Sequence, residues 1–220
     1  MEVSVSAITI SREIGSQGDT IAEQIAKRLG YQLVDKNTIE KVFRQYGFVD
    51  FTETYDESGF WAQFDPHRAE MISMLNRVIE AMVQHGNVVL LGRGGFAVLK
   101  GYADVLNVRI QAPLSIRIEQ IMSELKITDQ ARAEEMVKES DHMRQNFLET
   151  AYGKQWDSVS AFDLVIDTQK ISPEMAVDWL EAAAHRISQL QPRDAPTARS
   201  QEIDPVLADA IAQVLDKKPA

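Results

Sequence analysis

Residues 8–30 constrain the fold of this chain more than any other segment. An apolar run typical of a β-strand leads into a loop with two glycines, Gly15 and Gly18, and the loop continues into a stretch with helical apolar spacing. In a unit of this order, loop amides and the helix N-terminus converge and can surround an anion. The segment therefore predicts a βα unit whose turn can bind phosphate.

The rest of the chain continues to alternate short apolar runs with amphipathic segments. Alternation with short links predicts a parallel sheet between two layers of helices, a three-layer α/β/α fold. Ligands of such folds bind at the carboxyl ends of the strands, where a second glycine turn at 92–95 also falls. Further strands are predicted at 31–34, 88–91, 105–112 and 162–168, and helices from Thr38, over 67–85, after Pro113, over 128–152 and from Pro173.

Composition excludes several classes of function. The formal net charge is −10, from 33 acidic and 23 basic residues, which argues against general nucleic-acid binding. The chain has no cysteine, so disulfides and thiolate chemistry are excluded, and its four histidines lack zinc-hydrolase spacing. Without a signal-peptide pattern or an apolar run of about eighteen residues, we expect a cytoplasmic protein with no membrane partner.

Residues 191–220 are predicted to form a tail outside a main domain at 1–190. The stretch 191–200 is polar and contains prolines, as in a linker, whereas 203–215 has the spacing of one short amphipathic helix. That helix could dock on the domain or on a partner.

The first loop departs from the consensus of phosphate-binding loops, GxxxxGK[ST]. When Gly18 and Thr20 are aligned with the second glycine and the hydroxyl residue of that consensus, Glu13 stands at the first glycine and Asp19 at the lysine. The loop therefore carries an acid where a standard loop carries the cation that neutralises phosphate charge.

Two interpretations of this loop remain open on its residues alone. The amides of residues 15–20 can still surround a phosphate, and the Thr20 hydroxyl can still bind magnesium. The missing positive charge would then come from elsewhere, and Arg12 is the nearest candidate. Alternatively, the segment is a tight βα turn that binds no phosphate.

Five segments together resemble a known family in their order and spacing. They are SREIGSQGDTIAEQIAKRLGYQLVDKNTI, VVLLGRGGFAVL, VRIQAPLSIRIEQI, ESDHMRQNF and FDLVIDTQKIS. Over roughly residues 8–180, they resemble the cytidylate kinase-like family, a divergent branch of the P-loop nucleoside monophosphate kinases. The resemblance implies a P-loop NTP hydrolase-type fold with a helical lid at about 126–156, and it implies ATP and Mg²⁺ as cofactors.

The first loop of this family commonly reads like SRxxGSGGxxIA and lacks the standard lysine. Here Gln17 replaces a glycine of that pattern, and Asp19 occupies a site that is often basic. The resemblance implies that Thr20 binds the metal. It also implies that the donor phosphates are bound by Gly15, Ser16, Gln17, Gly18, Asp19 and Thr20.

The resemblance also implies two residues for the acceptor. The turn at 92–95 is similar to the segment of cytidylate kinases whose arginine binds the monophosphate, which assigns Arg93 to the acceptor phosphate. The alternative for Arg93 is a solvated arginine in a glycine turn. Asp35, in a YDK-type segment, is implied near the acceptor nucleotide or a metal, and could equally cap the helix predicted from Thr38.

The lid region supplies further arginines. Arg117 lies in a segment that resembles the start of the lid, and the stretch from Asp141 to Arg144 resembles the DxxR pattern of the lid. The resemblance implies that Arg117 and Arg144, together with Arg12, neutralise charge on the transferring phosphoryl group. For Arg132 we favour a solvated arginine paired with a nearby glutamate.

The leading hypothesis is a nucleotide kinase that transfers the γ-phosphoryl group of ATP to a nucleoside monophosphate, with CMP or dCMP suggested by the family name alone. The acceptor phosphate is itself the nucleophile, so no strong general base is required. The alternative is a catalytically silent or regulatory nucleotide-binding protein, which Asp19 and the acidic net charge motivate. A dinucleotide-binding Rossmann domain is disfavoured because the loop lacks GxGxxG.

Small-molecule nucleotides are the expected partners, and a homo-oligomer is left open. Four aromatic residues in the acidic stretch 47–66 could stack on a nucleotide base, although core packing is the favoured use. They are Tyr55, Phe60, Trp61 and Phe64.

Overall fold

The computed structural model describes residues 5–47, 66–156, 158–189 and 195–216. The four aromatic residues of the stretch 47–66 lie outside these ranges. The strands are β1 (Ala7–Arg12), β2 (Gln32–Val34), β3 (Val88–Leu91), β4 (Val105–Gln111) and β5 (Leu164–Asp167). The helices are α1 (Gly18–Leu29), α2 (Lys36–Tyr46), α3 (Pro66–His85), α4 (Gly95–Val98), α5 (Leu114–Leu125), α6 (Gln130–Tyr152), α7 (Pro173–Gln189) and α8 (Pro205–Leu215).

The five strands form one parallel sheet in the order β2-β3-β1-β4-β5. The central strand is β1, in which Ile8 is in register with Val89 of β3 and with Leu106 of β4. Its central place explains its unbroken burial from Ala7 to Ser11, since a parallel strand covered on both faces needs apolar residues on both. Both glycine turns follow the carboxyl ends of neighbouring strands, β1 and β3, and so lie side by side.

Helices cover both faces of the sheet, which confirms the predicted three-layer α/β/α fold. On one face, α2, α3 and α8 pack over the sheet around Phe43, Ile79 and Met82. On the other face, α1 and α7 pack together around Ile21, Ile25 and Leu180. Burial of each such side chain stabilises the fold by about 1.5–3 kcal/mol.

The helix predicted at 203–215 docks on the domain. Leu207, Ile211 and Leu215 of α8 are buried in the same core cluster as α2 and α3. The segment before α8 is fixed by Asp104, whose carboxylate accepts hydrogen bonds from the amides of Ala198 (2.7 Å) and Arg199 (3.3 Å). The predicted division of the chain at residue 190 stays a prediction.

At two of the element boundaries that differ from the prediction, an acidic side chain that binds backbone explains the difference. The second helix begins at Lys36, two residues before Thr38, because Asp35 accepts a hydrogen bond from the Thr38 amide at 2.8 Å. The last strand begins only at Leu164, since the Asp163 carboxylate accepts from the Asn107 amide at 2.7 Å. No helix in the described ranges is both long and apolar enough to cross a bilayer.

Candidate functional site

The loop between β1 and α1 has the backbone of an anion-binding turn. Gly15 (φ 75°) and Gln17 (φ 60°) both lie in the left-handed region. A Cβ on Gly15 would lie 2.5 Å from the carbonyl oxygen of Arg117, so glycine is required there for two reasons. Gln17 is the N-cap of α1 and makes no side-chain capping hydrogen bond. The N-cap side chain therefore leaves the first amides of α1 available, which fits a phosphate oxygen.

Arg12 and Asp19 form an ion pair across this loop. Arg12 Nη2 lies 2.9 Å from Asp19 Oδ1, and Arg12 Nε donates to Asp19 Oδ2 at 3.3 Å. The side chain of Arg12 passes over two glycines: a Cβ on Gly18 would lie 2.4 Å from Arg12 Cβ, and one on Gly92 would lie 2.6 Å from Arg12 Nη1. The acid at the lysine position thus fixes an arginine that lies between the two glycine turns.

A cavity of about 370 Å³ opens at the carboxyl ends of β1 and β3, and residues of α6 line one side of it. This is a size typical of small-molecule sites. Its polar wall includes Arg12, Arg93 and Arg144, and its apolar wall includes Phe96 and Trp156. The remaining lining residues are Thr9, Ile10, Ser11, Lys36, Gly92, Gly94, Ser140, Met143, Phe147 and Leu148.

Arg144 is the cation most perturbed by this environment. Its guanidinium donates to the carbonyl and to the hydroxyl of Ser140, one turn earlier on α6. The pKa of Arg144 is lowered to about 10, mainly by burial and next by the positive charge of Arg12, with a smaller contribution from Arg93, while Asp141 and Asp19 act in the opposite direction. Burial and the neighbouring arginines both disfavour the charged form of Arg144, and a bound anion would favour it again.

A second cavity of about 240 Å³ adjoins the first on the side of β2. Arg12, Lys36 and Arg93 line both cavities. Asp35 lines the smaller one and also caps α2, so the two alternatives for this residue are compatible geometrically. Its role in binding stays a prediction.

Arg117 is set apart from the other arginines. Its side chain is 8% exposed and is absent from the lining of both cavities described above. Arg117 Nε lies 3.4 Å from Glu13 Oε2, and Arg117 Nη1 and Nη2 lie 3.0 Å and 2.9 Å from the two oxygens of Asp141. The structure thus brings Arg12, Arg93 and Arg144 together and places Arg117 in a buried ion-pair network. Its catalytic role stays a prediction.

Thr20 lies exposed in the first turn of α1, beside the uncapped amides. The described ranges contain no group of three acidic or histidine side chains that could hold a metal by themselves. Magnesium in kinases is bound through one or two protein oxygens together with phosphate oxygens. The Thr20 hydroxyl fits that kind of site, in which the nucleotide supplies most of the ligands.

Sequence reasoning did not single out several residues of the site. Lys36 lines both cavities, and its signal was its place at the carboxyl end of β2. Trp156 lines the larger cavity, and its Nε1 donates to Ser11 Oγ at 3.2 Å. The sequence around Trp156 has no pattern that predicts this contact. Ser140 lies in a long polar segment with helical spacing, and nothing in the sequence distinguishes it from its polar neighbours.

The sheet, the turn after β1 and the arginines at the strand ends define an α/β fold of the P-loop type. Residues 7–170 match the model of the cytidylate kinase-like family, and the chain belongs to this family. This result confirms the resemblance drawn from the five segments and supports a nucleotide kinase-like function.

Curated relatives agree with the family. A protein named cytidylate kinase from Ignicoccus hospitalis is 28% identical over 177 residues, which cover 80% of this chain and 98% of the relative. A second, from Pyrococcus horikoshii, is 29% identical over 197 residues, covering 89% and 96%. The solved structure of an uncharacterized protein from Eubacterium ventriosum superposes with a TM-score of 0.62 at 19% identity, covering 81% of this chain and 97% of that one. This last likeness concerns the fold alone.

Proposed function

We propose that this protein transfers the γ-phosphoryl group of ATP to a nucleoside monophosphate. The observation that carries the proposal is the convergence of Arg12, Arg93 and Arg144 on one cavity beside an uncapped, glycine-containing turn. Such a site holds two anions close together, as phosphoryl transfer between nucleotides requires. The lowered pKa of Arg144 supports it, because a bound anion would compensate both the burial of this guanidinium and the positive charge of Arg12 and Arg93.

The donor phosphates bind the turn in this proposal. The amides of residues 15–20 surround them, and Thr20 contributes its hydroxyl to the magnesium that accompanies ATP. Bound Mg²⁺ would neutralise negative charge on the donor phosphate oxygens. The Asp19 carboxylate points to Arg12 and holds it at the border between the turn and the cavity, while the Asp19 amide belongs to the turn that surrounds the phosphates.

The acceptor phosphate binds in the cavity against Arg93 and Arg144. One of its oxygens attacks the γ-phosphorus of ATP, a new P–O bond forms, and the bond between the γ-phosphorus and the β–γ bridging oxygen breaks to leave ADP. The three guanidinium groups stabilise charge on the equatorial oxygens during this displacement. Closure of α6, which lines the cavity, over the bound nucleotides would limit the access of water and so the hydrolysis of ATP.

We propose CMP or dCMP as the acceptor because the curated relatives are named cytidylate kinases. The aromatic wall of Phe96 and Trp156 offers apolar contact near the arginines. A cytoplasmic location, where ATP and monophosphates are available, fits this activity.

The test is ADP formation over a panel of ribo- and deoxyribonucleoside monophosphates, with Arg93→Ala and Arg144→Ala as variants. We expect turnover by the wild type with one class of acceptor, and a loss of about 10²–10³-fold in kcat/KM for each variant. Arg132→Ala, on the exposed surface of the same helix α6, is the matched control and should match the wild type. ATP binding without turnover of any acceptor would instead establish the silent nucleotide-binding protein.

A further inference from the structure

Four charged side chains join the phosphate loop to the helices beside it. Glu13 and Asp141 carry the negative charges, and Arg109 and Arg117 carry the positive ones. We call these residues the Glu13–Asp141 network. The side chains of Arg109, Arg117 and Glu13 are 4%, 8% and 14% exposed. Charges this well buried persist only when each is paired and hydrogen-bonded.

Glu13 is the centre of the network. It follows the last residue of β1 and stands where a standard phosphate loop has its first glycine. Its Oε1 accepts from Arg109 Nη2 at 2.9 Å, and its Oε2 accepts from the Ala112 amide at 3.1 Å and lies 3.4 Å from Arg117 Nε. Its carbonyl oxygen accepts from the hydroxyl of Ser16 at 2.7 Å. The residue that replaced the glycine therefore anchors the loop to β4 and α5.

Arg117 extends the network to α6. Its guanidinium makes a two-point contact with Asp141, a geometry that fixes orientation as well as distance. Asp141 lies three residues before Arg144 on α6, and its neighbour Ser140 accepts the hydrogen bonds of Arg144. Residues three apart lie on adjacent positions of a helix surface, so fixing Asp141 also fixes the origin of Arg144.

Apolar packing joins the same elements. Ile14 of the loop packs on a cluster formed by α5 and α6, in which Ile118 and Val137 are buried. The missing Cβ of Gly15 lets the loop lie directly against the Arg117 backbone. Loop, α5 and α6 thus share both a polar and an apolar contact.

The network also reaches the aromatic wall of the cavity. Arg109 Nη1 donates to the carbonyl of Trp156 at 2.6 Å, and its guanidinium lies 4.7 Å from the centroid of the Trp156 ring. Trp156 in turn donates to Ser11 at the end of β1. At one end of the network, Arg109 contacts Trp156, which lines the cavity. At the other end, Asp141 follows Ser140, which also lines it.

We propose that Glu13 and Asp141 are positioning residues that hold the donor-phosphate loop and α6 as one unit. Their role is to fix the position of Arg144 relative to the loop. Arg144 then contacts the acceptor phosphate at a fixed distance from the donor phosphates that the loop binds. Arg117 connects the two acids, because its guanidinium contacts both Glu13 and Asp141. Neither acid touches a nucleotide. The expected effect on kcat rests on the proposed function, whereas the structural coupling of the loop to α6 does not.

The kinetic test uses Asp141→Asn, which keeps the shape of the side chain and removes its charge. We expect kcat to fall about 10–100-fold through misplacement of Arg144, while KM for ATP changes less than about threefold. Glu13→Gln should have the same effect, and the double variant should lose less than the product of the two, because both release Arg117. Glu139→Gln, an exposed acid on the same helix, is the control and should match the wild type.

A second readout, hydrogen exchange by mass spectrometry, does not depend on catalysis. In Asp141→Asn we expect amide exchange to rise about tenfold in peptides that cover residues 13–20, which lie far from the substitution in sequence, as well as in those that cover 140–150. Faster exchange in α6 alone, with residues 13–20 unchanged, would overturn the proposal, as would additive kinetic losses. If the wild type transfers no phosphoryl group yet the exchange in 13–20 rises, the proposed function fails and the network stands.

Discussion

Replacing Arg144 with methionine should stabilise the ligand-free protein. The pKa of Arg144 is lowered from its ordinary value to about 10, which means that the charged form is disfavoured in the folded state. Each pKa unit corresponds to about 1.4 kcal/mol, so the lowering represents roughly 3 kcal/mol of unfavourable free energy. Loss of the hydrogen bonds to Ser140 costs roughly 1–2 kcal/mol in return. Methionine keeps the apolar stem, and we expect a net gain of about 1–2 kcal/mol.

Urea unfolding at pH 7.5 and low salt measures this gain as a higher midpoint with an unchanged slope. The sign follows from the charge: the penalty is fully present below the folded-state pKa and disappears as the pH rises from about 10 towards the unfolded value. Arg132→Met, at an exposed position of the same helix, should change stability by less than about 0.5 kcal/mol.

The same variant should lose the response to ligand. A monophosphate that neutralises the cavity raises the free energy of unfolding of the wild type more than that of Arg144→Met. A variant less stable than the wild type by about 1 kcal/mol or more, beside an unchanged Arg132→Met, would refute the reasoning. Arg144 would then be held by net attraction, and the cavity would not be under cationic repulsion.

Three further substitutions test the phosphate loop. Gln17→Gly should raise the free energy of unfolding by about 0.5–1 kcal/mol in urea titrations, because Gln17 is left-handed; an unchanged midpoint contradicts this. Asp19→Asn should tighten ATP binding in calorimetry by about 3–10-fold, since it removes a negative charge beside the loop; weaker binding would show that the ion pair with Arg12 matters more. Gly18→Ala should lower kcat at least about tenfold by displacing Arg12, with the fold checked by circular dichroism, and wild-type turnover by this variant refutes that placement.

The architecture was predictable because local patterns determine it. Continuous apolar runs such as 88–91 predict buried parallel strands, and the spacing of Ile21 and Ile25 identifies the buried face of α1. Boundaries were less predictable where a side chain decides them, as at Asp35, whose capping bond adds two residues to α2. The docking of α8 could not be decided from its amphipathic spacing, because that spacing is equally compatible with a partner.

The site was predictable only where one segment contains its residues. The turn at 92–95 and the loop at 15–20 could be located from their glycines. The pairing of Arg12 with Asp19 could not, because it depends on the angle at which α1 leaves β1. The Glu13–Asp141 network joins residues 96 positions apart at Glu13 and Arg109, and 24 apart at Arg117 and Asp141. A single sequence carries no signal for such pairs.

The proposed function requires that Arg12, Arg93 and Arg144 form a working phosphotransfer site with the loop at 15–20. Transfer of radiolabel from [γ-³²P]ATP to a nucleoside monophosphate, resolved by thin-layer chromatography, tests this requirement. We expect a labelled diphosphate with the wild type and with Arg132→Ala, strongest with CMP or dCMP, and almost none with Arg144→Ala. ATP that binds but leaves every monophosphate unlabelled, or an Arg144→Ala variant that labels as fast as the wild type, would contradict it.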